Sequence, residues 1–399
     1  MKNYSPKLFI LMNHTEYVFV AGEETETNNF KIIYKSNVPM QGFDEYKITN
    51  FDLVFNDLKK NIYLIEQKLN FTFKDIVLVI DNFKCSFINL TGFKKLNGSQ
   101  VLKEDIIYIL NSLKSYVSET EEKKKIIHIF NSKYSLDKKN IVNLPIGLYG
   151  DFYSHELSFC LINDNDYKNL NNIFGKCNLK ITKILSKSFI EASHINNKNS
   201  PLDTFYKINI NENKSKIFYF ENSSLKFEQN FNFGSNLIIQ DICKVTSLKK
   251  DIFEKIINSI NFNQNIIEDE LIDKKIFINN IYTKIKKKLI LEIAEARIRE
   301  LLEKFIFKNV NLSLFNKKKD NIVFVTINDM HHYKCFKSIY DSIFSENEKI
   351  KFLFKKNTTI EELINNVNKI VHFGWKREAI PLTFQKKSMI AKLFEILFN

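Results

Sequence analysis

Asn143-Leu-Pro-Ile-Gly-Leu-Tyr-Gly-Asp-Phe-Tyr-Ser-His-Glu-Leu-Ser-Phe-Cys-Leu-Ile162 and Phe231-Asn-Phe-Gly-Ser-Asn-Leu-Ile-Ile-Gln-Asp-Ile242 are the two stretches on which the reading of this chain turns. The first closes on a β-prone run, Ser154 to Ile162. The second leaves a strand, Leu225 to Phe231, and enters a helix from Asn236 to Val245. Ahead of the first, Lys7 to Met12, Tyr17 to Ala21 and Phe30 to Ser36 read as strands, and Phe51 to Leu69 has helical apolar spacing at Val54, Leu58, Ile62 and Ile65. The same helical spacing includes Phe51, Phe55 and Leu69, and Asp75 to Ile80 is a continuous apolar strand of the buried kind. Strands, then a helix, then a buried strand define an α/β unit.

From Phe83 the rhythm changes. Strands at Phe87 to Leu90, Lys125 to Phe130 and Ser154 to Ile162, with a helix at Val101 to Val117, make an insert. Helix Asp164 to Cys177, with Asp164 as N-cap, strand Ile181 to Leu185 and helix Ser188 to Ile195 return to the first unit, and Asn196 to Asp203 reads as a linker. A second unit opens with strands Phe205 to Ile210, Lys216 to Phe220 and Leu225 to Phe231. It continues with helix Lys250 to Ile260, a long helix Tyr282 to Phe307, strand Ile322 to Thr326, helix Tyr333 to Phe344, strand Lys351 to Phe354 and helix Ile360 to Val371. No internal repeat is detectable in the sequence.

The 399 residues are enough for more than one core, and 44% hydrophobic content with 37 Phe marks a globular chain. The net charge of +13 favours a polyanionic partner, nucleic acid or an anionic lipid surface, and charge alone does not choose between them. The lysines occur in scattered runs that read as solvated faces, and without a nucleic-acid fingerprint no nucleic acid is expected. Cys85, Cys160, Cys177, Cys243 and Cys335 stand far apart without a C-x-x-C, which suits reduced thiols in a cytosolic protein. Neither a signal peptide nor a run of 18 apolar residues is visible.

Taken in order with Ala294-Glu-Ala-Arg-Ile-Arg-Glu-Leu-Leu302 and a short amphipathic tail, the two opening stretches resemble the bacterial cell-division protein family FtsA. That resemblance implies an actin-like (ribonuclease-H-like) α/β fold of two halves. It divides the chain into a first subdomain at 1–82 plus 163–198 and an inserted SHS2-like subdomain at 83–162. The second half comprises 199–235 plus 282–372 and a small subdomain at 236–281, followed by a linker at 373–385 and a membrane-targeting helix at 386–399. The implied partners are the C-terminal tail of the division polymer FtsZ, further copies of the chain in filaments, other division proteins and an anionic membrane, with a peripheral location on the cytoplasmic face of the cell membrane at the division site.

An actin fold grips ATP with two glycine-rich hairpins and holds the metal through acidic oxygens. The family's first hairpin reads acidic-Ile-Gly-Thr before Val-Gly-Glu. This chain keeps Ala21-Gly22-Glu23 but has Leu11-Met12-Asn13-His14 at the loop, and a leucine cannot bind a metal. The second reads Asp-Ile-Gly-Gly-Gly-Thr-x-Asp, where this chain has Asn209-Ile210-Asn211-Glu212-Asn213-Lys214-Ser215-Lys216. An adenosine-side Leu-Thr-Gly-Gly becomes Val325-Thr326-Ile327-Asn328. Asn13, His14, Asn209, Asn211, Asn213, Thr326 and Asn328 are thus remnants of a degenerate site, no cofactor is expected, and the chain is expected to be a pseudo-ATPase. The alternative is an ATP-binding actin-like or Hsp70-like ATPase with atypical loops, in which Lys214 or Lys216 meets a phosphate.

Arg297 and Glu300 match the family's Arg-x-x-Glu, and without nucleotide they read as an i,i+3 ion pair. Asp241 is expected on a helix surface near the FtsZ-binding subdomain. His331-His332 lacks ligand spacing and reads as a loop pair, so no metal is expected. In the tail, Met389, Ile390, Leu393, Phe394, Leu397 and Phe398 share one arc of a helix preceded by Lys386 and Lys387, the pattern of a helix lying in the headgroup plane.

Overall fold

The computed structural model describes residues 5–25, 30–44, 46–198, 202–260, 262, 269–277, 281–312, 321–346 and 350–379. The expected tail helix, with Lys386 to Phe398, lies outside the described residues. The described residues form two compact units: 5–187 with 367–379, and 188–366.

In the first unit, β1 (Lys7–Met12), β2 (Glu16–Glu24) and β3 (Phe30–Pro39) form an antiparallel meander, followed by the small β4 (Phe43–Asp44) and β5 (Lys47–Ile48) ribbon. Helix α1 (Phe51–Leu69) starts at Asn50, whose side chain accepts from the Leu53 N–H, and ends at Asn70 in the left-handed region. It buries Val54, Leu58, Ile62 and Ile65, the face set by the apolar spacing. Strand β6 (Asp75–Ile80) then pairs parallel with β1.

The insert follows as β7 (Ser86–Lys95), α2 (Lys103–Thr120), β8 (Lys124–Leu136), β9 (Lys139–Ile141) and β10 (Phe152–Asn163), a separate sheet of order β7-β10-β8-β9. Helix α3 (Asp164–Lys176) is capped by Asn163, not by Asp164 as expected: the Asn163 carboxamide accepts from the Asn165 N–H. Strand β11 (Lys180–Ser186) pairs parallel with β6 and completes the order β11-β6-β1-β2-β3.

Helix α4 (Lys187–Lys198) leads into the second unit, running through the first residues of the expected linker. There β12 (Phe205–Ile210), β13 (Ser215–Glu221) and β14 (Ser224–Phe231) form another antiparallel meander. Helices α5 (Asn236–Thr246), α6 (Lys250–Ser259) and α7 (Lys287–Leu302) follow, then β15 (Asn321–Ile327), α8 (Met330–Cys335), α9 (Lys337–Ser345), β16 (Ile350–Phe354) and α10 (Ile360–Phe373). The sheet order is β14-β13-β12-β15-β16, with β15 parallel to β12 and β16 parallel to β15. Meander, then two parallel strands added on the side of the first strand, is the topology of the first unit again. The duplication invisible in the residues is plain in the strand order.

Three expectations are corrected here. The long helix begins at Lys287 rather than Tyr282, because the preceding segment is extended: the Ile272 N–H donates to the Ile285 carbonyl at 3.0 Å. Its last turn, Glu303–Phe307, widens to a π-turn. The helix expected from Tyr333 to Phe344 is two helices, α8 and α9, meeting at Phe336. Residues of α5, α6 and α7 share one core with the second sheet, where Ile208, Tyr219, Ile242, Phe253 and Ile298 pack together, so 236–281 builds no separate core among the described residues.

Candidate functional site

The hairpin turns at the ends of β1 and β12 are where the sequence places its degenerate site. In the first unit the turn is tight: the Asn13 N–H donates to the Glu16 carbonyl at 3.0 Å and the Met40 N–H to the Thr15 carbonyl at 2.8 Å. Leu11 is a buried strand residue, and the His14 ring meets Tyr46 edge-on at 5.3 Å. Beside the turn, the chain leaving β6 stays paired to the end of β1, with the Asp81 N–H on the Met12 carbonyl at 2.9 Å. Lys187, the first residue of α4, joins the two: its Nζ donates to Asp81 Oδ2 at 2.9 Å and to Asn13 Oδ1 at 3.1 Å. Sequence reasoning missed Lys187, and nothing local could have found it, since its partners stand 106 and 174 residues away.

The turn between β12 and β13 closes with the Asn211 N–H on the Lys214 carbonyl at 3.0 Å. None of residues 211–214 takes positive φ, so the turn needs no glycine. Asn222 and Ser223, in the next turn, do take φ of 50° and 61°. Gly234 is the glycine this turn depends on: a Cβ there would lie 1.9 Å from the Asn211 carbonyl oxygen. That closeness lets the Ser235 and Asn236 N–H groups donate to the Asn211 and Glu212 carbonyls at 2.9 Å each. The first amides of a helix, the usual anion-binding donors, are therefore already satisfied. Side chains tighten the arrangement. Asn236 Nδ2 donates to Asn213 Oδ1 at 2.7 Å, and Asn328 binds Asn211 through both carboxamides. Ser235 Oγ donates to Asp329 Oδ2 at 3.0 Å.

Behind the turn, Thr326, Asn209, Lys216 and Asn230 form one lateral row across four strands. Lys216 is buried and sits 3.2 Å from Glu228, turned into the sheet face rather than toward the turn. Glu191 of α4, also buried, accepts from Lys207 Nζ at 2.6 Å and Asn209 Nδ2 at 2.9 Å. Asn209 Oδ1 and Thr326 Oγ1 are buried without a hydrogen-bond partner in the protein.

The other expected residues are placed as follows. Arg297 donates to Glu300 at 2.5 Å, and Glu300 also holds Lys304 at 2.6 Å, which with Arg297 brings its carboxyl below the usual range. Asp241 is no plain surface residue, because Arg297 reaches it with two nitrogens and so ties α5 to α7. His332 lies in the first turn of α8, not in a loop, and bonds to Asp329, the N-cap of that helix. Among the described residues no cluster of three His, Cys, Asp or Glu could hold a metal ion.

No family model matches the chain. It is 22% identical over 411 residues to the cell division protein FtsA of Buchnera aphidicola from Acyrthosiphon pisum, covering 96% of this chain and 94% of that protein. Against FtsA of the Buchnera strain from Schizaphis graminum it is 23% identical over 292 residues, covering 72% and 69%. The chain is thus similar, over nearly its whole length, to FtsA cell-division proteins. Its fold is that of the actin-like proteins: it superposes on a chain of the PilM-PilN type IV pilus biogenesis complex with a TM-score of 0.50, at 8% identity, covering 92% of this chain and 96% of that one. The relatives it matches are cell-division proteins, and that similarity supports a role in division.

Proposed function

We propose that this protein is a division adaptor that links FtsZ polymers to the cytoplasmic membrane and self-associates without ATP turnover. The observation that carries the nucleotide-free reading is the closure of both hairpins by the protein's own groups: Lys187 fills the first, and carbonyls of the second occupy the opening amides of α5. A triphosphate would have to displace these bonds, and no acidic residue stands at Leu11, Asn209 or Lys216 to recruit its metal.

Self-association is supported by the insert. Val142, Ile146, Leu148 and Tyr149 are exposed along one loop, and Phe93 stacks on Phe152 at 5.5 Å with both rings in solvent. Large apolar side chains left exposed in such number on one element suit an interaction site. Lys249, Lys250, Lys255, Lys274 and Lys275 are exposed around α6 and suit an acidic peptide such as a polymer tail. The amphipathic sequence at 386–398 supplies a lipid contact, and among the described residues no helix is long and apolar enough to cross a membrane. Weak contacts of many subunits on one filament then add up.

Flotation of the protein and FtsZ with anionic vesicles tests this reading. FtsZ should float only when the adaptor is present, and Leu393→Glu with Phe394→Glu should release both proteins from lipid while leaving FtsZ binding intact. Flotation of FtsZ without the adaptor, or an adaptor that ignores both lipid and FtsZ, would refute it.

A further inference from the structure

The chain does not run free after α10. Gly374 takes φ +75°, and the Glu378 N–H donates back to the Trp375 carbonyl at 2.9 Å. The next residues lie along the outer edge of β8. Asn131 donates its N–H to the Arg377 carbonyl at 2.6 Å, Ala379 donates to the Ile129 carbonyl at 2.7 Å, and Phe130 faces Glu378 as an antiparallel bridge. Within the expected linker, Arg377 to Ala379 thus pairs with the edge of β8 through one antiparallel bridge, directly after the turn from Trp375 to Glu378.

Three side chains hold it there. Glu378 Oε1 accepts from His128 Nδ1 at 2.9 Å and Oε2 from Lys183 Nζ at 2.8 Å. The Ser186 N–H occupies His128 Nε2 at 3.1 Å, which leaves Nδ1 as the protonated nitrogen facing the carboxylate. Arg377 lies over the Tyr134 ring at 5.1 Å and donates from Nη2 to the Val142 carbonyl at 2.9 Å. Ala379 enters the cluster of Leu110, Val117, Leu157 and Phe159. The segment therefore touches two things at once: the root of the C-terminal tail, through chain continuity, and the start of the exposed apolar loop, through Arg377.

We propose that Arg377–Ala379 is a latch that fixes the root of the tail to the edge of β8 and braces the 142–149 loop, so that opening the latch loosens the loop. A three-residue edge segment with two ladder bonds is weak by itself and opens locally without global unfolding. Its hold is concentrated in one carboxylate, since removing Glu378 strands the buried His128 and the half-buried Lys183. The tail and the apolar loop are thereby mechanically coupled, and whatever draws on the tail acts on the surface that the adaptor reading assigns to self-association. The proposal rests on that reading only for what the two surfaces bind.

Hydrogen exchange of the full chain, without lipid or partner, tests the latch separately from the adaptor reading. In Glu378→Ala, peptides covering 129–131 and 142–149 should exchange about tenfold faster than in the parent, while 205–210 in the second unit stays unchanged. Phe130→Cys with Glu378→Cys places two thiols on a non-hydrogen-bonded cross-strand pair, a spacing that a disulfide spans. Oxidation of this pair should slow exchange in both peptides relative to its reduced form, and this comparison decides the matter if Glu378→Ala loses its fold. Two results would overturn the proposal: release of 129–131 with no change at 142–149, or equal exchange in the oxidised and reduced cysteine pair.

Discussion

The two hairpin turns occupy the same place in two copies of one topology, and they are closed by different chemistry. After β1 the chain returns with the Asp81 N–H on the Met12 carbonyl, and after β12 with the Asn328 N–H on the Ile210 carbonyl, at 2.9 and 2.8 Å. Asn13 faces Asp81 across a lysine in the first copy, whereas Asn211 meets Asn328 directly in the second. One turn is neutralised by an ammonium group and the other by carboxamides and helix amides. Two copies of one topology can satisfy the polar groups of the same turn with different side chains, since burial favours whatever partner lies in reach.

The largest effect should come from Gly234→Ala. Its Cβ would collide with backbone oxygens of Asn211 and Glu212, so the start of α5 must part from the turn. A loss of about 3 kcal/mol or more is expected in urea unfolding, and a loss below about 1 kcal/mol would mean that the turn is not clamped. Removing the second clamp this way should leave the first unit's exchange protection unchanged.

Acid should separate the insert from both turns. Burial, with the Arg377 charge nearby, lowers His155 to about 4 from its ordinary 6.5. The unfolded chain therefore takes up a proton before the folded one does. The stability held by neutral His155 is full above pH 6.5 and is lost as pH falls toward 4, by roughly 3 kcal/mol. Burial alone would raise Glu378, but His128 and Lys183 outweigh it and hold the carboxyl at about 2. Its contribution is present above the ordinary 4.5 and adds a further loss below that. Urea midpoints from pH 7 to 4 should fall first for the insert, and His155→Gln should flatten the slope above pH 4.5. An unchanged slope would contradict the assignment.

Lys187→Met should cost about 1 kcal/mol, because Asp81 and Asn13 retain access to water, and it should not restore nucleotide binding. The smallest effect on stability belongs to the exposed loop: Ile146→Ser should stay within about 0.5 kcal/mol while weakening self-association in sedimentation. A variant that destabilises the fold but leaves self-association intact would remove the loop from the interface.

Much of the fold was legible because it rests on local pattern. Helix α1 and strands β1, β6 and β12 have the bounds their apolar spacing predicts, since one buried face per element sets the period. The start of α7 was misread because Ile285 is buried in an extended segment as it would be in a helix, and burial does not distinguish the two. At the site the sequence revealed which glycines and acids were missing, but not what replaced them. Lys187 with Asp81, Asn328 with Asn211 and Glu378 with His128 are pairs between distant segments, made by the fold and carrying no spacing of their own. Lys376-Arg-Glu378 between Gly374 and Pro381 has the composition of a linker, and its pairing with the open edge of β8 has no signal in the sequence.

Calorimetric titration of the full-length protein with ATP, with and without Mg²⁺, tests the central claim most directly. The closed hairpins predict no heat of binding at millimolar nucleotide in either condition. Saturable, Mg²⁺-dependent binding at micromolar ATP would contradict it and return the chain to the nucleotide-driven actin-like proteins.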